Sequence, residues 1–371
     1  MAIDVEVVVV GAGAVGLACA GRLARARRSV LVVENRDGVG EETSSRNSGV
    51  IHAGLYYPVG SLKALTCVEG RERLYARCER EAIPHRKCGK LVVATDAAER
   101  AQLEQLHARG LANGAGALRL LDQAELLALE PNVRAVAALL SPETGIVDPH
   151  ALLQSYKREA LEHGALLSLR TAVAGLEPAA EGVRVRTRAR DGEETELTAA
   201  FVINAAGLQA DRVAALAGLD VDALGYRLHP CKGDYFALAP ALRGIVAHLI
   251  YPLPVQAGLG IHVTLDVAGG LRAGPDTEYV TEPHYTVEPS KAAAFGAALR
   301  RYLPQVRDTD LSPDYAGVRP KLQAPGQPPR DFVIEHAAVH GVPGLVNLIG
   351  IESPGLTASA AIAERVAQLI A

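Results

Sequence analysis

The chain has 371 residues, of which 49% are hydrophobic, and a formal net charge of −4. That length suits about two domains with sizeable cores, and weak acidity with scattered basic residues argues against nucleic acid or anionic membrane as a partner. With no Trp, few Phe, no C-x-x-C and an odd set of cysteines (Cys19, Cys67, Cys78, Cys88 and Cys231), stacking platforms for single strands, a disulfide framework and a zinc site are all disfavoured.

Val5 to Val10 is a β-branched run, as in a strand buried on both faces. GAGAVG follows, Gly11 to Gly16, then an alanine-rich helix over about Val15–Arg27 and a second buried strand, Ser29–Glu34. Asp4 and Glu6 precede the apolar stretch, where a secretory signal would place positive charge, and no apolar run has transmembrane length. The expectation is a cytoplasmic protein, with loose attachment at the inner membrane face left open. Helices are expected over Ser61–Glu81, Ala98–Gly110, Asp122–Leu129 and Val147–Gly164, the last opened by Asp148 as cap and Pro149 at N1. Gly89–Asp96 reads as a strand. Residues 226–333 are mostly strands, with one helix near Ser290–Leu303; Gly344–Gly350 is a last buried strand before a closing helix. The fold class is therefore α/β, α+β overall: a Rossmann-like dinucleotide domain from 1–87, 147–225 and 335–371, and a mainly antiparallel substrate domain from 88–146 and 226–334.

In the first βαβ unit, Gly11 permits a tight turn, Gly13 lets backbone approach a pyrophosphate, and Gly16 allows close helix–strand packing. The helix N-terminus at Ala14 and Val15 offers N–H groups and a positive dipole end to phosphate. Glu34, with Asn35 beside it, ends the second strand and suits ribose hydroxyls. Two further strand–turn–helix starts, at Ala205-Ala206-Gly207 and at Gly350 to Thr357 (through Glu352, Ser353, Pro354, Gly355 and Leu356), fit a larger cofactor than NAD. A helix start aimed at a flavin would stabilise its reduced anionic ring. The polar loop ETSSRNSGVIHAG, Glu42 to Gly54, then has a purpose. Thr43, Ser44, Ser45, Asn47 and Ser48 provide donors and acceptors, with Gly49 and Gly54 giving clearance for the ring; Val50 and Val173 are placed with this FAD set.

The stretches VVVGAGAVGLACA, ETSSRNSGVIHAGLYYPVGSLKALTCVEG, CGKLVVATD, VINAAG, YAGVRPKL, DFVI and LVNLIGIESPGLTAS together resemble the L-2-hydroxyglutarate dehydrogenase/oxidase family, within the D-amino-acid-oxidase-like FAD oxidoreductases. The resemblance spans nearly the whole chain. It implies FAD and a small anionic organic acid as substrate, oxidised by hydride transfer to flavin N5.

Such a reaction needs a carboxylate clamp, a base for the hydroxyl proton and an acceptor for the C2 hydride. Arg319, in the G-x-R-P context the superfamily resemblance associates with a substrate-carboxylate arginine, is the expected clamp. Lys321 and Lys232 are candidates for a second carboxylate. His52 is the expected base, with structural packing or a covalent flavin bond as alternatives; His262 is second, and Tyr251 a candidate hydrogen-bonding partner. The acids form no metal set: Asp148 reads as a cap, and Glu352 either faces the flavin or caps its own turn. No metal is expected. Rival readings on the same fold are an amine or amino-acid oxidase of the glycine or D-amino-acid oxidase type, and a glycerol-3-phosphate dehydrogenase. Further rivals are a flavoprotein that binds partners without turnover and a pure NAD dehydrogenase. The electron acceptor, whether oxygen, a quinone or another carrier, is not specified.

Overall fold

A computed structural model describes residues 3–254 and 260–371. The chain divides into two compact units: Met1–Ser45, Pro149–Pro230 and Arg319–Ala371 form the first, Arg46–Asp148 and Cys231–Val318 the second.

The first unit is built on an eight-stranded sheet. Val5–Val10 lies parallel to Val30–Val33 on one side and to the end of Glu194–Asn204 on the other, with Val9 opposite both Val32 and Ile203. Leu166–Ser168 and Leu345–Ile349 extend the parallel part outward. The start of Glu194–Asn204 pairs antiparallel with Gly182–Ala189, and that strand with Thr171–Ala179. Val7, Val8 and Val9 are fully buried, as a strand covered on both faces requires. Helix Ala14–Arg25 packs against helices Pro149–Glu162 and Gly355–Leu369. Its run of small residues allows this: a Cβ on Gly21 would lie 3.2 Å from the Glu159 carboxylate.

The second unit carries a nine-stranded sheet, mainly antiparallel, in which Leu249–Pro252 runs parallel to Lys90–Ala94 near its centre. Its core joins Leu91, Val93, Leu139, Phe236, Ile250 and Val263 to Phe295 and Leu299 of helix Ala292–Arg300. Helix Leu62–Arg80 begins at Ser61, whose side chain accepts from the Ala64 N–H at 3.2 Å. Asp122 and Glu125 form a reciprocal capping box ahead of Gln123–Leu129, the arrangement that satisfies two otherwise unpaired donors. Among the described residues no helix is long and apolar enough to cross a membrane.

The fold class matches the sequence expectation, but the chain divides elsewhere. Residues 46–87 lie in the second unit, because Val50–Ile51 and His85–Arg86 both pair antiparallel with Gly145–Val147 in a three-stranded sheet. Residues 319–334 lie in the first, where Leu322 and Val333 share a cluster with Tyr226 and Ile349. His52 therefore belongs to the second unit and Arg319 to the first.

Candidate active site

In the first unit the three glycines of GAGAVG each answer a contact. Gly11, at φ +101°, would place a Cβ 2.6 Å from the Ala205 carbonyl oxygen, and Gly16 would place one 2.0 Å from the Gly11 oxygen. The turn after strand Glu194–Asn204 is thus packed directly on the first glycine. Gly13 makes room for something the sequence did not show: a Cβ there would meet the Ser44 Oγ at 2.9 Å. That hydroxyl accepts from the Ala14 N–H at 2.9 Å. Glu34 accepts from the Ala12 N–H at 2.8 Å and the Arg36 N–H at 2.9 Å, one on each oxygen. A carboxylate oxygen has a second lone pair, so both contacts leave capacity for ribose hydroxyls. Asn35 is exposed beside it.

The N–H groups of Gly13, Val15 and Gly16 have no acceptor among the described residues. These donors, at the positive end of a 12-residue helix, are what a pyrophosphate requires. The residues present therefore fit a dinucleotide.

Asn204 holds the second turn, and sequence reading passed over it. Fully buried, it donates to the Ala210 carbonyl at 2.7 Å and to Asn347 Oδ1 at 2.8 Å, tying Ala205, Ala206 and Gly207 to the last strand. Val173 is half-buried beside an irregularity in its strand. At the third turn Gly350 has φ +71°. The Glu352 N–H donates to the Gly350 carbonyl at 2.8 Å, and the Gly355 N–H to the Glu352 carbonyl at 2.5 Å, leading through Ser353 and Pro354 into the helix of Leu356 and Thr357. The Glu352 carboxylate faces Lys321 at 3.4 Å, both nearly buried. Arg319 is half-buried two residues earlier on strand Leu311–Lys321.

The polar loop is shared between the units. Thr43, Ser44 and Ser45 go with the first. From Arg46 it is anchored in the second: the Tyr315 hydroxyl donates to the Asn47 carbonyl at 2.7 Å, Asn47 Oδ1 accepts from the Gly49 N–H at 2.8 Å, and the Gly49 carbonyl accepts from the Val147 N–H at 2.8 Å. Ser48 is half-buried and Val50 buried.

The second unit gathers a cluster around His52. His52 is 9% exposed and His262 is 4% exposed. Burial holds the His52 imidazole well below its ordinary value, and the positive charges of Lys90 and His262 add to the effect. His52 is therefore neutral at physiological pH. His262 stacks on Tyr251, ring centroids 3.7 Å apart, and its Nδ1 lies 3.0 Å from the Gly260 carbonyl. With Nδ1–H donating there, Nε2 is the acceptor. Lys232 has an acid partner of its own. Fully buried, it pairs with Asp234 at 2.8 Å, and Lys291 bridges Asp234, Asp276 and Glu278 at 2.7–2.8 Å. Those three carboxylates have metal-ligand spacing, but two ammonium groups already answer them.

The residue that sequence reading missed is Lys90. It starts the central strand, is 1% exposed, and its Nζ sits 4.6 Å from the ring centroids of both Tyr56 and Tyr251. The signal was a lone lysine heading an otherwise apolar strand in GKLVVATD.

Comparison with known proteins agrees with this geometry. Residues 6–369 match the family described as FAD dependent oxidoreductase. The chain is 40% identical to a protein of Arabidopsis thaliana named L-2-hydroxyglutarate dehydrogenase, mitochondrial, over 98% of this chain and 83% of that one. It is 30% identical to the human protein of the same name, over 98% and 88%. Among solved structures, L-alpha-glycerophosphate oxidase from Mycoplasma pneumoniae with FAD bound superposes with a TM-score of 0.89 at 26% identity, covering 100% of this chain and 95% of that one. The dinucleotide cradle, the two-unit fold and these likenesses lead to one assignment: the chain belongs to the FAD-dependent oxidoreductases and is an enzyme with FAD as its cofactor.

Proposed function

We propose that the protein oxidises L-2-hydroxyglutarate, or a closely similar anionic 2-hydroxy acid, to the 2-oxo acid. The observation that carries this is the 40% identity, over 98% of the chain, to a plant protein named for that activity. Bound FAD supplies the acceptor for the two electrons leaving C2. The free N–H groups of Gly13, Val15 and Gly16 bind its pyrophosphate, and Glu34 its ribose. Thr43, Ser45, Ser48 and the turn from Gly350 to Thr357 are assigned to the flavin ring.

Arg319 clamps the carboxylate beside the reacting hydroxyl with its planar fork. His52 takes the hydroxyl proton, and its neutral state at physiological pH supports that role. His262 orients the substrate hydroxyl, held in place by its stack on Tyr251. The domain roles follow: the first unit holds the dinucleotide of FAD and contributes Arg319, and the second contributes Ser48, His52 and His262. We propose a cytoplasmic location, loosely membrane-attached or not; cell fractionation tests it, since both sequence relatives are named mitochondrial.

A second reading, glycerol 3-phosphate as substrate, is favoured by the TM-score of 0.89 to the glycerophosphate oxidase. One experiment separates them. Anaerobic addition of L-2-hydroxyglutarate should bleach the flavin within seconds, with the D enantiomer, glycerol 3-phosphate, glycine and D-amino acids far slower. Rapid bleaching by glycerol 3-phosphate or an amine instead would replace the proposal. Re-oxidation of the reduced protein by oxygen or by a quinone then identifies the acceptor.

A further inference from the structure

Lys90 is a buried cation without a counter-charge. Its Nζ lies against two tyrosine faces, and among the described residues no carboxylate is within ion-pair distance. Two other buried lysines differ, since Lys232 has Asp234 at 2.8 Å and Lys321 has Glu352 at 3.4 Å. The acidic groups facing Lys90 carry no negative charge at physiological pH. Cys67, on helix Leu62–Arg80, has its thiol pushed up to about 12 by burial. Burial raises the Tyr56 and Tyr251 phenols as well. His52 is held neutral, and His262 bears on it as a second cationic group rather than as an acid.

A second donor waits beside it. The Tyr56 hydroxyl is buried and has no hydrogen-bond partner among the described residues. Cation–π contact with two rings offsets only part of the cost of burying an ammonium, and an unmade buried hydrogen bond is unfavourable in itself. An ammonium and a phenol that both lack acceptors are complementary to one carboxylate, which has two oxygens to offer.

We propose that Lys90 and Tyr56 form the subsite for the substrate carboxylate remote from the reacting hydroxyl. Lys90 then acts as the specificity residue that selects a dicarboxylate. The proposal rests on the substrate reading above, in which Arg319 takes the near carboxylate. Burial lowers the Lys90 ammonium from 10.5 to about 7. A bound carboxylate favours the charged form, so affinity should fall as pH rises through that value, about tenfold per unit at the limit.

The test uses the FAD-loaded protein and calorimetric titration with glutarate, pentanoate and inorganic phosphate at pH 6.5 and 8.5. Glutarate should bind at least about thirtyfold more tightly than pentanoate at pH 6.5 and lose about tenfold or more at pH 8.5. Lys90→Met should bind glutarate no better than pentanoate, without that pH dependence. Tyr56→Phe should weaken glutarate by about tenfold. Flavin content and circular dichroism establish that each variant is folded. Unchanged glutarate binding in Lys90→Met, or equal loss of glutarate and pentanoate, overturns the assignment. Phosphate outcompeting glutarate reassigns the subsite to a phosphate ester and overturns it too. If L-2-hydroxyglutarate fails to bleach the flavin while glutarate binding still depends on Lys90, the substrate reading falls and the subsite stands.

Discussion

Replacing Lys90 by Met should make the protein more stable at neutral pH, against the usual outcome of a core substitution. The folded value of the ammonium, about 7, lies below the 10.5 of the free side chain. At about 1.4 kcal/mol per pH unit, that interval corresponds to about 5 kcal/mol. The unfolded chain holds the proton more tightly, so the penalty is present in full below pH 7. It shrinks as pH rises and is gone above 10.5. The two cation–π contacts return about 1–2 kcal/mol, leaving Lys90→Met about 3 kcal/mol more stable at pH 7. Met has nearly the same length and leaves no polar group behind. The assay is denaturant unfolding followed by circular dichroism, with excess FAD and no carboxylate buffer. At pH 9.5 the gap should close to about 1 kcal/mol. A variant less stable than the parent at pH 7, or a gap that ignores pH, would refute the premise that Lys90 lacks a counter-charge.

Asp234→Asn should have the opposite effect, a loss of about 3–5 kcal/mol read by the same unfolding assay, because it strips the fully buried Lys232 of its acid at 2.8 Å. Gly16→Ala should abolish stoichiometric flavin content, since the added Cβ would lie 2.0 Å from the Gly11 oxygen; absorbance at the flavin and protein bands measures it. Arg319→Ala should raise KM and lower kcat/KM by about 10²-fold or more, the loss of a bidentate charged contact. His52→Gln should lower kcat by about 10²–10⁴-fold. In the parent enzyme the acid limb of kcat/KM should lie below the ordinary histidine range, because burial, Lys90 and His262 hold His52 neutral.

The dinucleotide unit was legible because its signals are local. A strand, three glycines, a helix and an acid fall within about thirty residues, and each needs its neighbours in the chain. The polar loop was legible as an oddity, but its division was not. Ser44 is occupied by Ala14, 30 positions earlier, and Asn47 by Tyr315, 268 positions later; no local pattern encodes either contact. The Lys232 pairing was readable in principle, since Asp234 follows it by two positions on the same face of a strand. Lys90 illustrates the converse. A lysine at the head of a strand usually reaches solvent, and only the parallel neighbour Leu249–Pro252, which brings Tyr251 onto its face, closes that route.

The order in which the chain is woven has a consequence for its synthesis. Strand Glu194–Asn204 pairs on one edge with Leu345–Ile349, and the Asn204 amide waits for Asn347. On a ribosome adding ~5–20 residues per second, that sheet edge emerges on the order of ten seconds before its partner exists. During that interval the nascent chain carries an open, β-branched edge of the kind that pairs with strangers. The cradle for FAD is complete only once Leu345–Ile349 and the turn after it have emerged, so cofactor capture waits for that strand and does not follow directly on the first βαβ unit.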